Sequence, residues 1–204
     1  NYQNSDFVIV TGGTGGLGSQ LVNHLVEHGE KHILIVSRKA NKPKIQKQCK
    51  IETITFDKLQ TINFKNKSLK VFHLAGVVDD GYIHQLTTEK IQNVLKPKIH
   101  LLDQLYNLLK KHNVYWILFS SIYSLFGYDQ LTHYSSANGY LNGFHKKQKH
   151  VLSINWGTWE GVGMAHKLGS TFEKYWKNQG MEFITLNYGF ETLFDLVNSK
   201  SCGN

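Results

Sequence analysis

Phe7-Val8-Ile9-Val10-Thr11-Gly12-Gly13-Thr14-Gly15-Gly16-Leu17-Gly18 changes its period within twelve residues. The continuous apolar run Phe7 to Val10 reads as a strand covered on both faces, as in a parallel sheet. From Leu17 the spacing becomes helical: Leu17, Leu21 and Leu25, with Val22 and Val26, share one face, and Gly29 supplies the stop. Between strand and helix lies Gly13-x-Gly15-x-x-Gly18. In this context the first glycine serves the tight turn, the second lets backbone approach a pyrophosphate, and the third lets helix and strand pack closely. The N–H groups and dipole at the helix start favour an anion.

Working outward, Ile33 to Val36 forms a second buried strand, which completes a βαβ unit. Further strands are expected at Ile51 to Phe56, Val71 to Leu74, Trp116 to Phe119 and Val151 to Asn155. Helices are expected at Glu89 to Leu95, from Pro97 along the stripe Ile99, Leu102, Leu105 and Leu109, and from Tyr134 to Lys147. Strands alternating with helices predict an α/β fold: a Rossmann-type doubly wound parallel sheet with helices on both faces. The length of 204 residues suits one domain with a sizeable core.

Composition narrows the function. With 23 Lys+Arg against 15 Asp+Glu the formal charge is +8, which raises nucleic acid as a partner. Yet Arg38 is the single arginine, and the densest basic stretch, Lys39 to Lys50, holds no aromatic, so it reads as a solvated lysine-rich connection and no nucleic acid is expected. No apolar run is long enough for a spanning helix, so no membrane is expected either. Cys49 and Cys202 form neither a disulfide scaffold nor a zinc ribbon, which fits a reducing, cytoplasmic setting. His24, His28 and His32 recur every four residues, but a polar helix face explains them and no metal is expected. Asn1 without an initiator Met predicts a cut inside a longer polypeptide.

The lone arginine has a place. At the end of the second strand an NAD site puts a carboxylate on the ribose, whereas this chain has Ser37-Arg38. A guanidinium can fork a 2′-phosphate and stack on adenine, so NADPH is the expected cofactor. Asp57, after the third strand, is a candidate partner for the adenine amine or simply a helix cap.

Tyr134 and Asn138, four apart, share a helix face, and Ser121 lies just past the fifth strand, at the edge where open parallel sheets bind ligands. A serine and a tyrosine hydroxyl beside a nicotinamide suggest carbonyl reduction, with the phenol protonating the developing alkoxide. A phenol needs a nearby cation to act at neutral pH, and spacing alone leaves Lys98 one lysine among many.

In order, the segments TGGTGGLG, HLAGVVDDG, VLKPK, FSSIYSLFG, YSSAN and INWGTWEGVGMA resemble the ketoreductase domain of modular polyketide synthases and animal-type fatty acid synthases, in the short-chain dehydrogenase/reductase superfamily. The resemblance runs from about Phe7 to Leu196 and implies Lys98, Ser121, Tyr134 and Asn138 as the catalytic set. It implies that Thr11, Gly13, Thr14, Gly15, Gly16, Leu17, Gly18, Ser37, Arg38, Asp57, His73, Ala75 and Gly76 surround NADPH. It places Asp80, Phe126, Gly157 and Met164 at the substrate, with a short lid around Met164-Ala165-His166 near the C-terminus. The substrate would be a β-ketoacyl thioester on the phosphopantetheine of an acyl carrier protein, and further partners would be neighbouring synthase domains, among them a structural ketoreductase half. Val78-Asp79-Asp80, together with Phe126 where the opposite class usually has a tryptophan, implies the D-alcohol, or B-type, product. Two intervals, Ser37 to Asp57 and Asp57 to His73, are shorter than the family usually shows, as though helices beside the third strand were trimmed. Two other classes remain on the residues alone: a silent docking domain, and a free-standing dehydrogenase for another carbonyl.

Overall fold

A period-two code runs through every central strand of this chain. In the computed structural model, which describes residues 3–147, 149–162, 174 and 176–201, β1 (Phe7–Thr11) sends Val8 and Val10 to one face of a sheet and Ile9 to the other. The next strand, β2 (His32–Val36), does the same with Ile33 and Ile35 against Leu34 and Val36. On the first face α1 (Gly16–Glu27) lays down Leu21, Val22, Leu25 and Val26, beside Phe190, Leu193, Phe194 and Val197 of the last helix, α7 (Leu186–Ser201). On the second face Leu102, Leu105 and Leu109 of α4 (Leu101–Leu109) join Leu141 and Phe144 of α6 (Thr132–Lys147).

The sheet has seven strands in the order β3-β4-β2-β1-β5-β6-β7, the others being β3 (Asn41–Gln46), β4 (Cys49–Ile54), β5 (Ser68–His73), β6 (Asn113–Ser121) and β7 (Val151–Trp156). All neighbours pair parallel except β3, which is antiparallel to β4. The doubly wound parallel sheet with helices on both faces is therefore present, with one added edge strand. Its chain runs from β1 to β2 on one side and reaches β5 on the other, which makes the β1–β5 boundary the switch point where such sheets hold ligands. Register brings the strand ends together there: Thr11 lies opposite both Val36 and His73, and Ser121 opposite Trp156.

Two of the expected elements need correction. The stretch Lys39 to Lys50 is not a solvated connection: Asn41–Gln46 pairs back on β4 through a two-residue turn, Lys47-Gln48, whose φ values of 46° and 64° are those of a type I′ hairpin. Pro43 and the lysines hid the strand, yet an edge strand tolerates proline and is protected by charge; the register shift between Asn41 and Lys44 brackets that proline. This hairpin occupies the first shortened interval, and the five-residue α2 (Phe56–Gln60) occupies the second. Pro97 does not open a new helix. It lies in a π-helical segment, Lys96–His100, that joins α3 (Thr88–Leu95) to α4 with helical backbone on both sides. Proline lacks the N–H that an α-turn would need here, and a wider turn absorbs the missing bond. No helix among the described residues is long and apolar enough to cross a membrane.

The glycine turn divides its labour differently from the expectation. The left-handed residue is Gly12, at φ +73°, and a Cβ there would meet the Ala75 nitrogen at 2.9 Å. A Cβ on Gly13 would press on Ile35 Cγ2 at 2.9 Å, so this glycine serves the fit of turn against β2. At Gly18 a Cβ would sit 2.1 Å from the Gly12 carbonyl oxygen, which is backbone and cannot step aside. Gly18→Ala is expected to lower stability by about 1–3 kcal/mol, the usual cost of overpacking. Chemical denaturation checks it, and a wild-type midpoint would contradict the close approach.

Candidate active site

Four strand ends and two helices converge on one edge of the sheet. Lys98 arrives from the π segment, Ser121 from the end of β6, and Tyr134 and Asn138 from the first half of α6. All four are buried, Asn138 completely. The Ser120 hydroxyl donates to the Asn138 carbonyl at 3.1 Å, which ties α6 to β6 beside Ser121. Ser121 is held in turn by α5 (Tyr123–Phe126): its Oγ accepts from the Tyr123 N–H at 3.3 Å, and its carbonyl accepts from the Ser124 hydroxyl at 2.6 Å. Asn142 of α6 donates to Ser124 Oγ at 2.8 Å and to Asn155 Oδ1 of β7 at 2.9 Å, so one polar network locks α5, α6 and β7 behind the serine.

Burial pushes the Tyr134 phenol above its ordinary range, and the side chains of Asn138 and Ser121 beside it pull it partly back. Asn138 donates from Nδ2 to the Tyr134 carbonyl at 2.9 Å, and its Oδ1 is buried with no hydrogen-bond partner among the described residues. Lys98 donates from Nζ to the Phe119 carbonyl at 2.9 Å, two residues before Ser121. Desolvation brings this ammonium down to about 8. Gly76 makes room for it, since a Cβ there would lie 3.3 Å from Lys98 Cε.

His73 explains why Lys98 sits where it does. Its Nε2–H donates to the Lys98 carbonyl at 2.8 Å, and because a carbonyl only accepts, Nδ1 is the bare nitrogen that takes the Thr11 hydroxyl at 2.8 Å. Thr11 Oγ1 accepts from the Ala75 N–H at 3.2 Å. Burial first, and then the Lys98 charge, press His73 down to about 3, so the ring is neutral. Thr11 and His73, expected beside a cofactor, thus spend their side chains inside the protein.

The remaining expected residues lie around the same edge. Thr14, Gly15 and Gly16 are exposed at the start of α1, while Leu17 packs partly into the core. That helix has no side-chain cap and no acidic residue in its first turn, so no side chain of its own cap takes its first N–H groups. Ser37 donates its N–H to the Ile54 carbonyl, and the exposed Arg38 follows it off β2. An uncapped helix start over a glycine turn with a guanidinium nearby is a donor set that fits a dinucleotide carrying an extra phosphate. Asp57 is exposed in the first turn of α2, where Thr55 is the cap. Asp80 and Phe126 are exposed, and a Cβ on Gly157 would meet only Ile184 at 3.5 Å. Met164 and the expected lid fall outside the described residues. His24 and His28 take local roles, His24 packing at a tilt against Phe190 and His28 stacking on Phe194, and His32 meets Glu52 at 2.6 Å. Sequence reasoning missed Ser120, the Ser124–Asn142–Asn155 network, and the partners of the Asp79–Gly81 loop, all of them contacts that local spacing does not encode.

Residues 7–161 match the KR domain family. This chain is a ketoreductase-family domain. Among curated relatives of the KR domain, 6-methylsalicylic acid synthase of Aspergillus niger is 26% identical over 89% of this chain and 12% of its own length. Polyketide synthase GfsB of Streptomyces halstedii is 31% identical over 76% of the chain and 3% of its own length. The chain therefore spans only a small part of these relatives. A solved A-type ketoreductase from a modular polyketide synthase has a TM-score of 0.84 at 23% identity, covering 98% of this chain and 46% of that one. A C2-type ketoreductase reaches 0.79 at 17% identity, covering 98% and 47%. Ketoreductases of different types share this fold, and at such identity the fold is all the likeness carries.

Proposed function

We propose that this domain reduces a β-ketoacyl thioester, presented on the phosphopantetheine of an acyl carrier protein, to the β-hydroxyacyl thioester, with NADPH as reductant. The observation that carries the reading is the burial of Lys98, Ser121, Tyr134 and Asn138 together at the sheet edge beside an uncapped, glycine-lined helix start. The turn from Thr14 to Leu17 would hold the pyrophosphate and Arg38 the 2′-phosphate. Bound there, NADPH supplies a hydride, with its electron pair, to the carbonyl carbon. Tyr134 gives its phenolic proton to the carbonyl oxygen, which Ser121 holds through Oγ. Lys98 and Asn138 support the phenol and restore its proton. Val78-Asp79-Asp80 and an exposed Phe126 favour the D-alcohol. As a catalytic half with a structural half and carrier protein as neighbours, the domain would act as a piece of a larger synthase.

Purified chain should oxidise NADPH in the presence of a 3-ketoacyl thioester, far faster than NADH, and yield mainly the D-alcohol on chiral analysis. Arg38→Ala is expected to weaken NADPH binding about 10- to 100-fold, the worth of charge-assisted bonds to a phosphate, while leaving NADH affinity near its starting value. Equal losses for both cofactors would remove Arg38 from the phosphate. No turnover of any 3-ketoacyl thioester would sink the reading itself.

A further inference from the structure

The loop Val78 to Gly81 is anchored at every residue. Val78 packs against the cluster of Val94, Tyr134 and Ala137. The Asp79 carbonyl accepts from His133 Nε2 at 2.7 Å, and its carboxylate meets Lys90 Nζ at 3.5 Å. Lys90 Nζ also donates to the Asp80 carbonyl at 3.0 Å, and the Gly81 N–H donates to the Gln130 carbonyl at 3.0 Å. Three of these partners precede or begin the catalytic helix: Gln130, His133 and, through Val78, Tyr134 itself.

His133 is the centre of this clamp. It is buried at 5% exposure, immediately before Tyr134, and a carbonyl partner requires the hydrogen on Nε2. Its Nδ1 is buried with no partner among the described residues, so the bond to Asp79 is the ring's one polar engagement. A buried aromatic spending its only donor on a loop carbonyl sets a fixed spacing between that loop and the next residue's phenol. Half-buried Lys90 closes the other side with one ammonium shared between the Asp79 carboxylate and the Asp80 carbonyl.

We propose that His133 and Lys90 are positioning residues for stereochemistry: they hold the Asp79–Gly81 loop at a set distance from the Tyr134 hydroxyl and so decide which face of the ketone meets the hydride. This rests on the ketoreductase reading above. When the loop is fixed, one approach of the acyl chain past Asp80 is open; when it is loose, both faces of the carbonyl can be presented to the same phenol.

The test uses the full chain, a 3-ketoacyl thioester with NADPH, and two readouts. His133→Phe keeps the ring volume and removes the donor, while His133→Gln restores a donor of similar reach. In His133→Phe the ratio of D- to L-alcohol should fall about fivefold or more, the worth of one hydrogen bond, and His133→Gln should recover it. Lys90→Met, at a half-buried position outside the core clusters, should shift the ratio in the same direction even if His133→Phe folds poorly. In parallel, hydrogen exchange at the Gly81 amide should accelerate several-fold in both donor-loss variants. Unchanged exchange in both overturns the clamp. Faster exchange with an unchanged product ratio overturns its stereochemical role. A wild-type chain that reduces no thioester removes the enzymatic reading, an outcome the exchange arm separates from failure of the clamp.

Discussion

Tyr134→Phe is expected to lower kcat on a 3-ketoacyl thioester by on the order of 10²–10⁴-fold, the loss that follows removal of a positioned general acid. The substitution is well confined. Phenylalanine keeps the ring that packs with Val94 and Ala137, and the Ser120 hydroxyl still ties the Asn138 carbonyl to β6. NADPH binding, which would rest on the turn after β1 and on Arg38, should survive within a few-fold, so the loss falls on kcat. Single-turnover measurement of NADPH oxidation separates the two. The pH profile adds a second check. Burial raises the phenol above its ordinary range, which keeps the proton on Tyr134 through neutral and mildly alkaline pH. The phenol should therefore add no limb of its own at neutral pH: the wild-type rate should hold up to about pH 8 and fall above it as the Lys98 ammonium loses its proton, and the residual rate of Tyr134→Phe should lack any limb due to the phenol. Unchanged turnover in the variant would take the proton donor away from Tyr134 and with it the proposed chemistry.

The sequence was most legible where one physical rule dominated. Buried parallel strands must be apolar throughout, so β1 and β2 stood out, and the switch to a 3.6-residue period marked α1 without help from the fold. Rules in conflict hid the rest. Pro43 among lysines argues against a strand until the strand is known to lie at an edge, where both features are tolerated. A proline ahead of an apolar helical stripe points to a helix start, where proline is common, whereas at Pro97 a π segment lets the helix run on through it. Within the glycine turn the fingerprint was visible, but which glycine turns left-handed depended on the approach of Ala75 from another strand. At the site, the four-residue spacing of Tyr134 and Asn138 was readable from the chain, while Lys98 was distinguishable from the other lysines only by family resemblance. Its burial, its bond to Phe119 and its support by His73 are contacts between segments 21 and 25 residues apart, beyond the reach of any local pattern.

Those contacts imply a conflict between stability and function at Lys98. At 3% exposure the residue is charged below about pH 8, and among the described residues its Nζ donates to the carbonyl of Phe119 alone. A fall from 10.5 to about 8 corresponds to on the order of 3 kcal/mol of disfavoured charging relative to the unfolded chain. The sign follows from linkage. Between about pH 8 and 10.5 the unfolded chain binds more of this proton than the folded one, so stability rises with pH across that window, and below it the full cost is present. Lys98→Met fills similar volume without the charge. At pH 7 the variant is expected to be more stable than wild type by up to about 3 kcal/mol, less what the lost hydrogen bond to Phe119 contributes. The advantage should vanish as pH approaches 10.5, because the wild type by then folds with a neutral amine. Denaturation of both proteins at matched pH cancels every other titrating group, Lys70 included, and leaves the difference curve of this one residue. A flat difference curve would mean that the ammonium is solvated in solution. Catalysis should move the opposite way. Losing the cation that supports the phenol is expected to cost about 10²-fold or more in kcat, so the same substitution that steadies the fold disables the site. A buried lysine that is costly to charge within the fold, with a π segment and a neutral histidine shaped around its backbone, finds its rationale in the proposed reaction rather than in the packing.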